Sequence, residues 1–176
     1  MAIDENKTFT PINIAILTVS DTRTAGNDTS GDILAEKVTG AGHTLAARTI
    51  VKADAALLAA QFDAWIDDPQ VDAIVSTGGT GLTGRDVTPE ALTRIEGARE
   101  IPGFGELFRW LSFQTIGTST VQSRACAVVA RGTYIFALPG SNGAVKDGWD
   151  GILAEQLDSR NRPCNFVELM PRLKEK

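Results

Sequence analysis

A glycine-rich stretch from Ser76 to Glu90 holds the residues best suited to chemistry in this chain. Four glycines fall within seven residues there, so few side chains would keep a ligand from the backbone N–H groups. Asp86 follows as a single carboxylate, and Thr88-Pro89-Glu90 has the pattern of a helix start with Thr88 as the capping residue. Backbone amides after a strand, beside an acid and a helix start, favour a phosphorylated ligand with Mg²⁺ bound by Asp86.

Two common nucleotide-binding motifs overlap this stretch. Gly79 to Gly84 matches G-x-G-x-x-G, in which the helix begins at the glycines themselves. The Thr-Pro start places the helix later here, so a nicotinamide-nucleotide oxidoreductase is a remote alternative that a helix beginning at Gly81 would support. Read as a P-loop, the stretch has Asp86 where a hydroxyl should bind Mg²⁺, which argues against that motif. A glycine-rich turn with no function is the remaining alternative.

Strands and helices alternate along the sequence. The predicted strands are 12–19, 44–51, 71–77, 125–130 and 133–138, and the predicted helices are 32–38, 55–66, 88–95, a segment within 100–113, and 141–157. This alternation predicts an α/β fold with one doubly wound, mostly parallel sheet and helices on both faces. The predicted domain covers 12–166, between a flexible N-terminal segment (1–11) and a C-terminal tail (167–176).

Three predicted strands end in turns rich in glycine or hydroxyl groups. In doubly wound sheets, ligands bind beyond the carboxyl ends of the strands. Two anion-binding turns on one edge predict a ligand with more than one phosphate, although Ser141 in the last turn can equally serve only as a helix cap. The candidate substrate-binding residues are Ser20, Asp21, Thr77, Gly78, Gly79, Thr80, Gly81, Pro139, Gly140 and Ser141.

Composition limits the number of domains, the classes of partner and the cellular compartment that are expected. With 176 residues the chain suits one domain, and its net charge of −5 argues against a nucleic-acid partner. No apolar run is long enough for a membrane span, and the first residues lack the pattern of a signal peptide. Cys126 and Cys164 form no Cys-x-x-Cys pair, which is typical of a reducing compartment. We therefore expect a cytoplasmic protein without a membrane partner.

The single histidine, His43, lies in a predicted turn between a helix and a strand. A histidine-dependent triad or a zinc cluster would have to use this one residue, and a turn histidine bonded to backbone is the favoured interpretation. Catalysis, if present, therefore runs through carboxylates, hydroxyls, basic side chains and a metal.

The motifs together resemble the MoaB/MogA family of molybdenum cofactor biosynthesis, and the last of them resemble its MoaB branch. The resemblance implies a MogA-like doubly wound domain that forms a homo-oligomer, either a trimer or a hexamer. It also implies two partners, molybdopterin and ATP, and transfer of an adenylyl group from Mg-ATP to the molybdopterin phosphate with release of pyrophosphate. The motifs are 14–21, 77–90, 102–106, 138–141, 112–125 and 155–166.

The resemblance implies two catalytic aspartates, of which Asp86 matches one and also serves as the metal ligand. The second position is occupied by Ala53, and the neighbouring Asp54 is the candidate for that role or, alternatively, the N-cap of the next helix. Two functions follow: an adenylyltransferase, or a non-catalytic protein of the same pathway that binds or assembles pterin or nucleotide. Arg124 is expected either to contact a phosphate or to form a salt bridge.

Overall fold

Among residues 3–175, which the computed structural model describes, six strands form one mixed sheet. Their order across the sheet is β2-β1-β3-β6-β5-β4. The first four run parallel, whereas β5 is antiparallel to both of its neighbours. The strands are β1 (Asn13–Val19), β2 (Thr44–Val51), β3 (Ala73–Thr77), β4 (Arg99–Glu100), β5 (Cys126–Ala130) and β6 (Thr133–Leu138).

Side chains of β1 alternate between the two faces of the sheet. Ile14 and Ile16 belong to one buried apolar cluster, and Ala15 and Leu17 belong to the other. This is the period of two expected of a strand. Because both faces of β1 are covered, its sequence is a continuous apolar run.

Helices cover both faces of the sheet, which confirms the predicted doubly wound α/β fold. The helices are α1 (Thr29–Gly40), α2 (Ala55–Ile66), α3 (Thr88–Leu92), α4 (Pro102–Ile116), α5 (Asn142–Gly148), α6 (Ala154–Gln156) and α7 (Phe166–Leu169); 3₁₀ helices span Gly117–Gln122 and Met170–Arg172. One cluster receives Leu34, Phe108 and Val145 from α1, α4 and α5, and the opposite cluster receives Phe62 and Leu92 from α2 and α3.

Several element bounds differ from the sequence prediction. Helix α1 begins three residues earlier than predicted, because the buried Asp28 side chain accepts a 3.1 Å hydrogen bond from the Gly31 N–H and caps the helix there. The predicted helix 141–157 contains a π-helical turn, Trp149–Leu153, between α5 and α6. A Cβ on Gly151 would lie 2.7 Å from Leu111 Cδ1, so the absence of a side chain allows this turn to approach α4 closely.

The predicted terminal segments contact each other and the predicted domain where the structure describes them. Ile3 forms a β-bridge with Asn161, Lys7 forms an ion pair with Glu168, and Val167 is buried in the core. Residues 1, 2 and 176, which also belong to those segments, lie outside the described residues. No helix within 3–175 has both the length and the apolar character needed to cross a bilayer.

Candidate active site at the carboxyl ends of the central strands

The strand order reverses between β1 and β3. From β1 the chain crosses to β2 on one side, whereas β3 lies on the other side of β1. The carboxyl ends of β1 and β3 therefore border a crevice, which is where ligands bind in sheets of this kind. A cavity of about 300 Å³, here called the polar cavity, opens there; it is lined by Thr18, Val19, Ser20, Arg23, Ser30, Thr77, Gly78, Gly79, Asp86 and Gly140.

The predicted binding residues are divided between two cavities. Those that line the polar cavity are Ser20, Thr77, Gly78, Gly79 and Gly140, together with Asp86. Those that line a second cavity of about 200 Å³ are Thr80, Gly81, Pro139 and Ser141. Phe108 and Ile116 give the second cavity an apolar side. Neither lining includes Asp21 or Asp54.

The glycine loop (residues 78–86) begins with two residues that need glycine. Gly78 and Gly79 have φ values of +100° and +67°, in the left-handed region. A Cβ on Gly78 would lie 2.4 Å from the Val19 carbonyl oxygen. The Gly78 N–H donates to the Leu138 carbonyl oxygen at 2.9 Å, so this one of the predicted phosphate-binding amides is already bonded within the protein.

Two threonines connect the glycine loop to its surroundings. The Thr77 hydroxyl, predicted as a ligand donor, instead donates to the Pro139 carbonyl oxygen at 3.0 Å. The Thr88 hydroxyl donates to the Gly78 carbonyl oxygen at 2.9 Å. The sequence predicted Thr88 as the N-cap of α3, and that prediction is wrong. Val87 occupies the N-cap position and makes no side-chain capping bond.

Asp86 is held by the loop that carries it. Its Oδ2 accepts hydrogen bonds from the Thr83 N–H at 2.9 Å and from the Thr83 hydroxyl at 2.7 Å. Partial burial raises the pKa of Asp86, but the hydrogen bonds from Thr83 and the Gly81 N–H outweigh it, so the net pKa is lowered. The carboxylate is therefore ionised at neutral pH and lies in the wall of the polar cavity.

A buried carboxylate, Asp28, is bonded to a residue that lines the polar cavity, and the sequence did not predict it as a site residue. Asp28 is fully buried and accepts from the Thr18 hydroxyl at 2.7 Å and from Arg48 Nη2 at 2.8 Å. Burial raises the pKa of Asp28, but the bonds from Arg48, Thr18 and the Gly31 N–H outweigh it and the net pKa is lowered. Asp28 thus positions Thr18, which lines the cavity. The sequence signal was the Asp28-Thr29-Ser30-Gly31 segment, a helix-capping pattern.

Ser20 enters the polar cavity with its hydroxyl oxygen already bound to backbone. That oxygen accepts from the N–H groups of Thr22 at 3.2 Å and Arg23 at 3.0 Å. Because a serine hydroxyl also carries a proton, it can still donate to a ligand. Ser141 has a comparable position in the second cavity, where its hydroxyl accepts from the Ala144 N–H at 3.2 Å and caps α5.

Asp21 and Asp54 are bound away from the cavity lining. Asp21 accepts from Arg85 Nη2 at 2.6 Å and from the Ala53 N–H at 3.2 Å. Asp54 Oδ1 accepts from the N–H groups of Ala56 and Leu57 at 2.9 and 3.0 Å, which makes it the N-cap of α2. Asp54 therefore has the capping role that the sequence left open, and we give it no catalytic role.

Arg124 forms the salt bridge that was one of its two expected roles. Its partner is Glu90 on α3, and its Nε donates to the Gly81 carbonyl oxygen at 2.7 Å. The guanidinium is thus engaged with protein groups rather than directed at a phosphate. His43 lies before β2, at the opposite edge of the sheet, and its Nδ1 accepts from the Ile12 N–H at 3.3 Å.

Comparison with known proteins identifies the family. The family described as a probable molybdopterin binding domain matches residues 15–159. The chain belongs to this family. The relatives that match include proteins of molybdenum cofactor biosynthesis, and the resemblance to the MoaB/MogA family that the motifs indicate is confirmed.

Individual members of the molybdopterin-binding family match over nearly their whole length. Molybdenum cofactor biosynthesis protein B of Escherichia coli (strain K12) is 52% identical over 158 residues, which cover 90% of this chain and 92% of that protein. The Bacillus subtilis (strain 168) protein of the same name is 41% identical over 160 residues, with 89% and 94% covered. A crystal structure of a molybdenum cofactor biosynthesis protein B has a TM-score of 0.85 and 34% identity, covering 97% of this chain and 100% of that one.

The observed start of α3 argues against the oxidoreductase alternative for this family member. In a dinucleotide-binding fingerprint the helix begins at the glycines, where its N-terminus meets the pyrophosphate. Here α3 begins at Thr88, four residues after the last glycine of the loop. Instead of a helix N-terminus, the site has a polar cavity whose lining includes the ionised Asp86 carboxylate.

Proposed function

We propose that this protein binds molybdopterin and transfers an adenylyl group from Mg-ATP to the molybdopterin phosphate in the cytoplasm. One observation carries the proposal: the ionised Asp86 carboxylate lies in a polar cavity where the ends of three neighbouring strands, β1, β3 and β6, meet. Family membership supports the pterin as the acceptor. The E. coli and B. subtilis relatives, named as molybdenum cofactor biosynthesis proteins, support the pathway.

The donor groups around the polar cavity suit Mg²⁺ bound to a nucleotide. Within residues 3–175 no three or more His, Cys, Asp or Glu side chains form a metal-binding group. A site with one carboxylate and hydroxyls suits Mg²⁺, which keeps several waters and takes its other oxygens from substrate phosphates. Asp86 would hold the ion, with the Ser20 hydroxyl close by. When bound, Mg²⁺ neutralises negative charge on the reacting phosphates.

The protein's own contribution is positioning. Nucleotidyl transfer needs the two phosphates aligned and their charge stabilised. The acceptor oxygen of the pterin phosphate attacks the α-phosphorus of ATP, the bond to the β-phosphate oxygen breaks, and pyrophosphate leaves. Because that phosphate is already largely ionised at neutral pH, the reaction needs no histidine base. We propose that the polar cavity holds the phosphates and that the second cavity, with Phe108 on its apolar side, holds the pterin or adenine ring.

A second candidate function is favoured by the residue at position 53. Where the family pattern implies a second catalytic aspartate, Ala53 has no carboxylate, and its N–H donates to Asp21. Asp54 is used as a helix cap. The protein would then bind pterin or nucleotide without turning it over.

The experiment that separates these functions is a turnover assay on the purified protein. The protein is incubated with ATP, Mg²⁺ and molybdopterin, and adenylylated pterin is measured by mass spectrometry. We expect product from the wild type and at least about 100-fold less from Asp86→Asn, since a transition-state charge contact is removed. Asp150→Asn, at an exposed acid on the π-helical turn, is the control and should retain activity. Pterin binding without turnover would instead support the non-catalytic function.

We also propose that the chain assembles with copies of itself, as a trimer or a hexamer. The support is an exposed apolar face on α4 and the 3₁₀ helix after it. Several large apolar side chains left exposed on one segment commonly mark a protein–protein contact. The face, here called the α4 face, consists of Leu107 (42% exposed), Trp110 (61%), Phe113 (50%), Ile116 (53%) and Val121 (79%).

A further inference from the structure

Arg124 contacts two separate parts of the glycine loop from outside the polar cavity. Its backbone N–H donates to the Thr80 carbonyl oxygen at 2.8 Å, and its Nε donates to the Gly81 carbonyl oxygen at 2.7 Å. Its Nη2 donates to the Asp86 carbonyl oxygen, and both terminal nitrogens contact the Glu90 carboxylate. One residue thereby joins the first half of the loop, its last residue and the following helix. Its side chain does not line the polar cavity.

We propose that Arg124 is a positioning residue that holds Asp86 in the wall of the polar cavity. The proposal rests on the proposed function for its kinetic consequences. Its structural part, that Arg124 fixes the loop, can be tested whether or not turnover occurs.

The loop has bonds of its own, but its middle is open to solvent, so a restraint from outside also matters for its order. Leu82 is 66% exposed, and a Cβ on Gly84 would meet nothing within 4 Å. Contacts within the loop join the Asp86 carboxylate to Thr83 and to the Gly81 N–H, and a 3.0 Å bond joins the Asp86 N–H to the Thr83 carbonyl oxygen. A glycine-bearing loop loses much conformational entropy on ordering, so bonds that tie two separate parts of it favour the ordered form.

Arginine suits this role for a geometric reason. The guanidinium presents N–H donors in fixed planar directions, whereas a lysine ammonium is a compact point charge on a flexible stem. Here Nε and Nη2 reach two carbonyl oxygens that are five residues apart in the loop, at Gly81 and Asp86. The Glu90 carboxylate sets the orientation of the guanidinium plane. Because the Arg124 and Glu90 side chains are 33% and 50% exposed, the two carbonyl bonds rather than the ion pair give Arg124 its effect.

The test compares Arg124→Gln and Arg124→Lys with a matched control, Arg109→Gln. Arg109 lies on α4, and its Nη1 donates to the carbonyl oxygen of Ala125, the residue after Arg124, at 3.0 Å. Arg109 makes no bond to the glycine loop. The first readout is hydrogen–deuterium exchange of the full-length protein. We expect peptides covering 79–90 to exchange about tenfold faster in both Arg124 variants, with β1 and β3 unchanged.

The second readout measures the affinity of the site for a divalent metal ion as well as the turnover rate. We expect Mn²⁺, used with ATP as a paramagnetic probe, to bind about tenfold more weakly to Arg124→Gln, since groups that orient a metal ligand have effects of about 10- to 100-fold. The Mg²⁺ concentration for half-maximal turnover should rise by a similar factor, while the KM for ATP at saturating Mg²⁺ changes less than about threefold. Arg109→Gln should match the wild type in each measurement.

Two results would overturn the proposal. One is loop exchange and Mn²⁺ binding in Arg124→Gln that equal those of the wild type; the other is an equal change in Arg109→Gln, which would show a general loss of packing. If the wild type turns nothing over, the exchange and Mn²⁺ data still decide the role of Arg124 while the adenylyltransferase function fails. If Arg124→Gln does not fold, Arg124→Lys is judged by the same two criteria, because a single ammonium does not reproduce the two carbonyl bonds.

Discussion

The Gly78 N–H donates to the carbonyl oxygen of Leu138 across an N···O distance of 2.9 Å. This bond extends the β3–β6 pairing by one residue and brings the glycine loop against the Pro139-Gly140-Ser141 turn. A Cβ on Gly140 would lie only 3.3 Å from the Gly78 Cα, so the two backbones are in direct contact. The wall of the polar cavity therefore depends on glycine at position 78.

Gly78→Ala should destabilise the protein by about 2–4 kcal/mol, because it combines a positive φ with a contact on the Val19 carbonyl. Urea unfolding followed by circular dichroism measures the change. Gly84→Ala is the control, since its Cβ meets nothing within 4 Å, and it should stay within about 0.5 kcal/mol of the wild type. Equal stability of the two variants would contradict this account of the loop.

Asp28→Ala should cost about 3 kcal/mol of unfolding free energy. It removes a helix cap and leaves Arg48 and the Thr18 hydroxyl without their buried partner. Asp32→Ala removes the other carboxylate bound to Arg48, but that side chain is 53% exposed, so the loss should be below about 1 kcal/mol. A similar loss in both variants would show that burial of Asp28 contributes little.

The contribution of Asp28 should depend on pH in a defined direction. Its pKa is lowered in the folded protein from an ordinary value of 3.8, so its ionised form stabilises the fold fully above that value. The contribution is lost as the pH falls through the lowered pKa. The difference in unfolding free energy between the wild type and Asp28→Asn should therefore be constant from neutral pH to about pH 5 and shrink toward pH 2. A difference that grows on acidification would contradict the sign.

Asp54→Ala tests the cap against the catalytic interpretation. We expect the melting temperature to fall by a few degrees, because the Ala56 and Leu57 N–H groups lose their acceptor, while turnover per folded molecule stays within about twofold. Asp54→Ser, which can still cap, should recover most of the lost stability. A large loss of turnover with unchanged stability would restore Asp54 as a catalytic acid.

Trp110→Glu should reduce the size of the assembly. A charge at the centre of the α4 face would be buried against a second copy without a partner. Sedimentation velocity should show a smaller species than the wild type. Leu57→Glu, at an exposed apolar residue of α2 (53%), is the control and should leave the assembly unchanged. A wild-type protein that sediments as a monomer would end the proposal for self-association.

The sequence by itself determined the fold class and the segments that form the site. These segments are local patterns: the apolar run of β1, the glycines of the loop and the turn at Pro139. A strand buried on both faces needs apolar residues, and left-handed backbone favours glycine, so both features can be predicted from residue type. The sequence could not show which acidic side chains accept hydrogen bonds from backbone N–H groups. The Asp54 carboxylate accepts hydrogen bonds from two backbone amides at the start of its own helix, and these bonds compete with any catalytic role.

Only the tertiary structure decided which donors remain for a ligand. The Gly78 amide and the Thr77 hydroxyl look available in the sequence, but their acceptors come from 60 or more residues away, once β6 lies beside β3. In the same way Arg124 reaches the glycine loop, and Asp28 reaches Arg48, across different elements. Hydrogen-bond partners of this kind are fixed by strand order and register, which a linear pattern of residues does not specify.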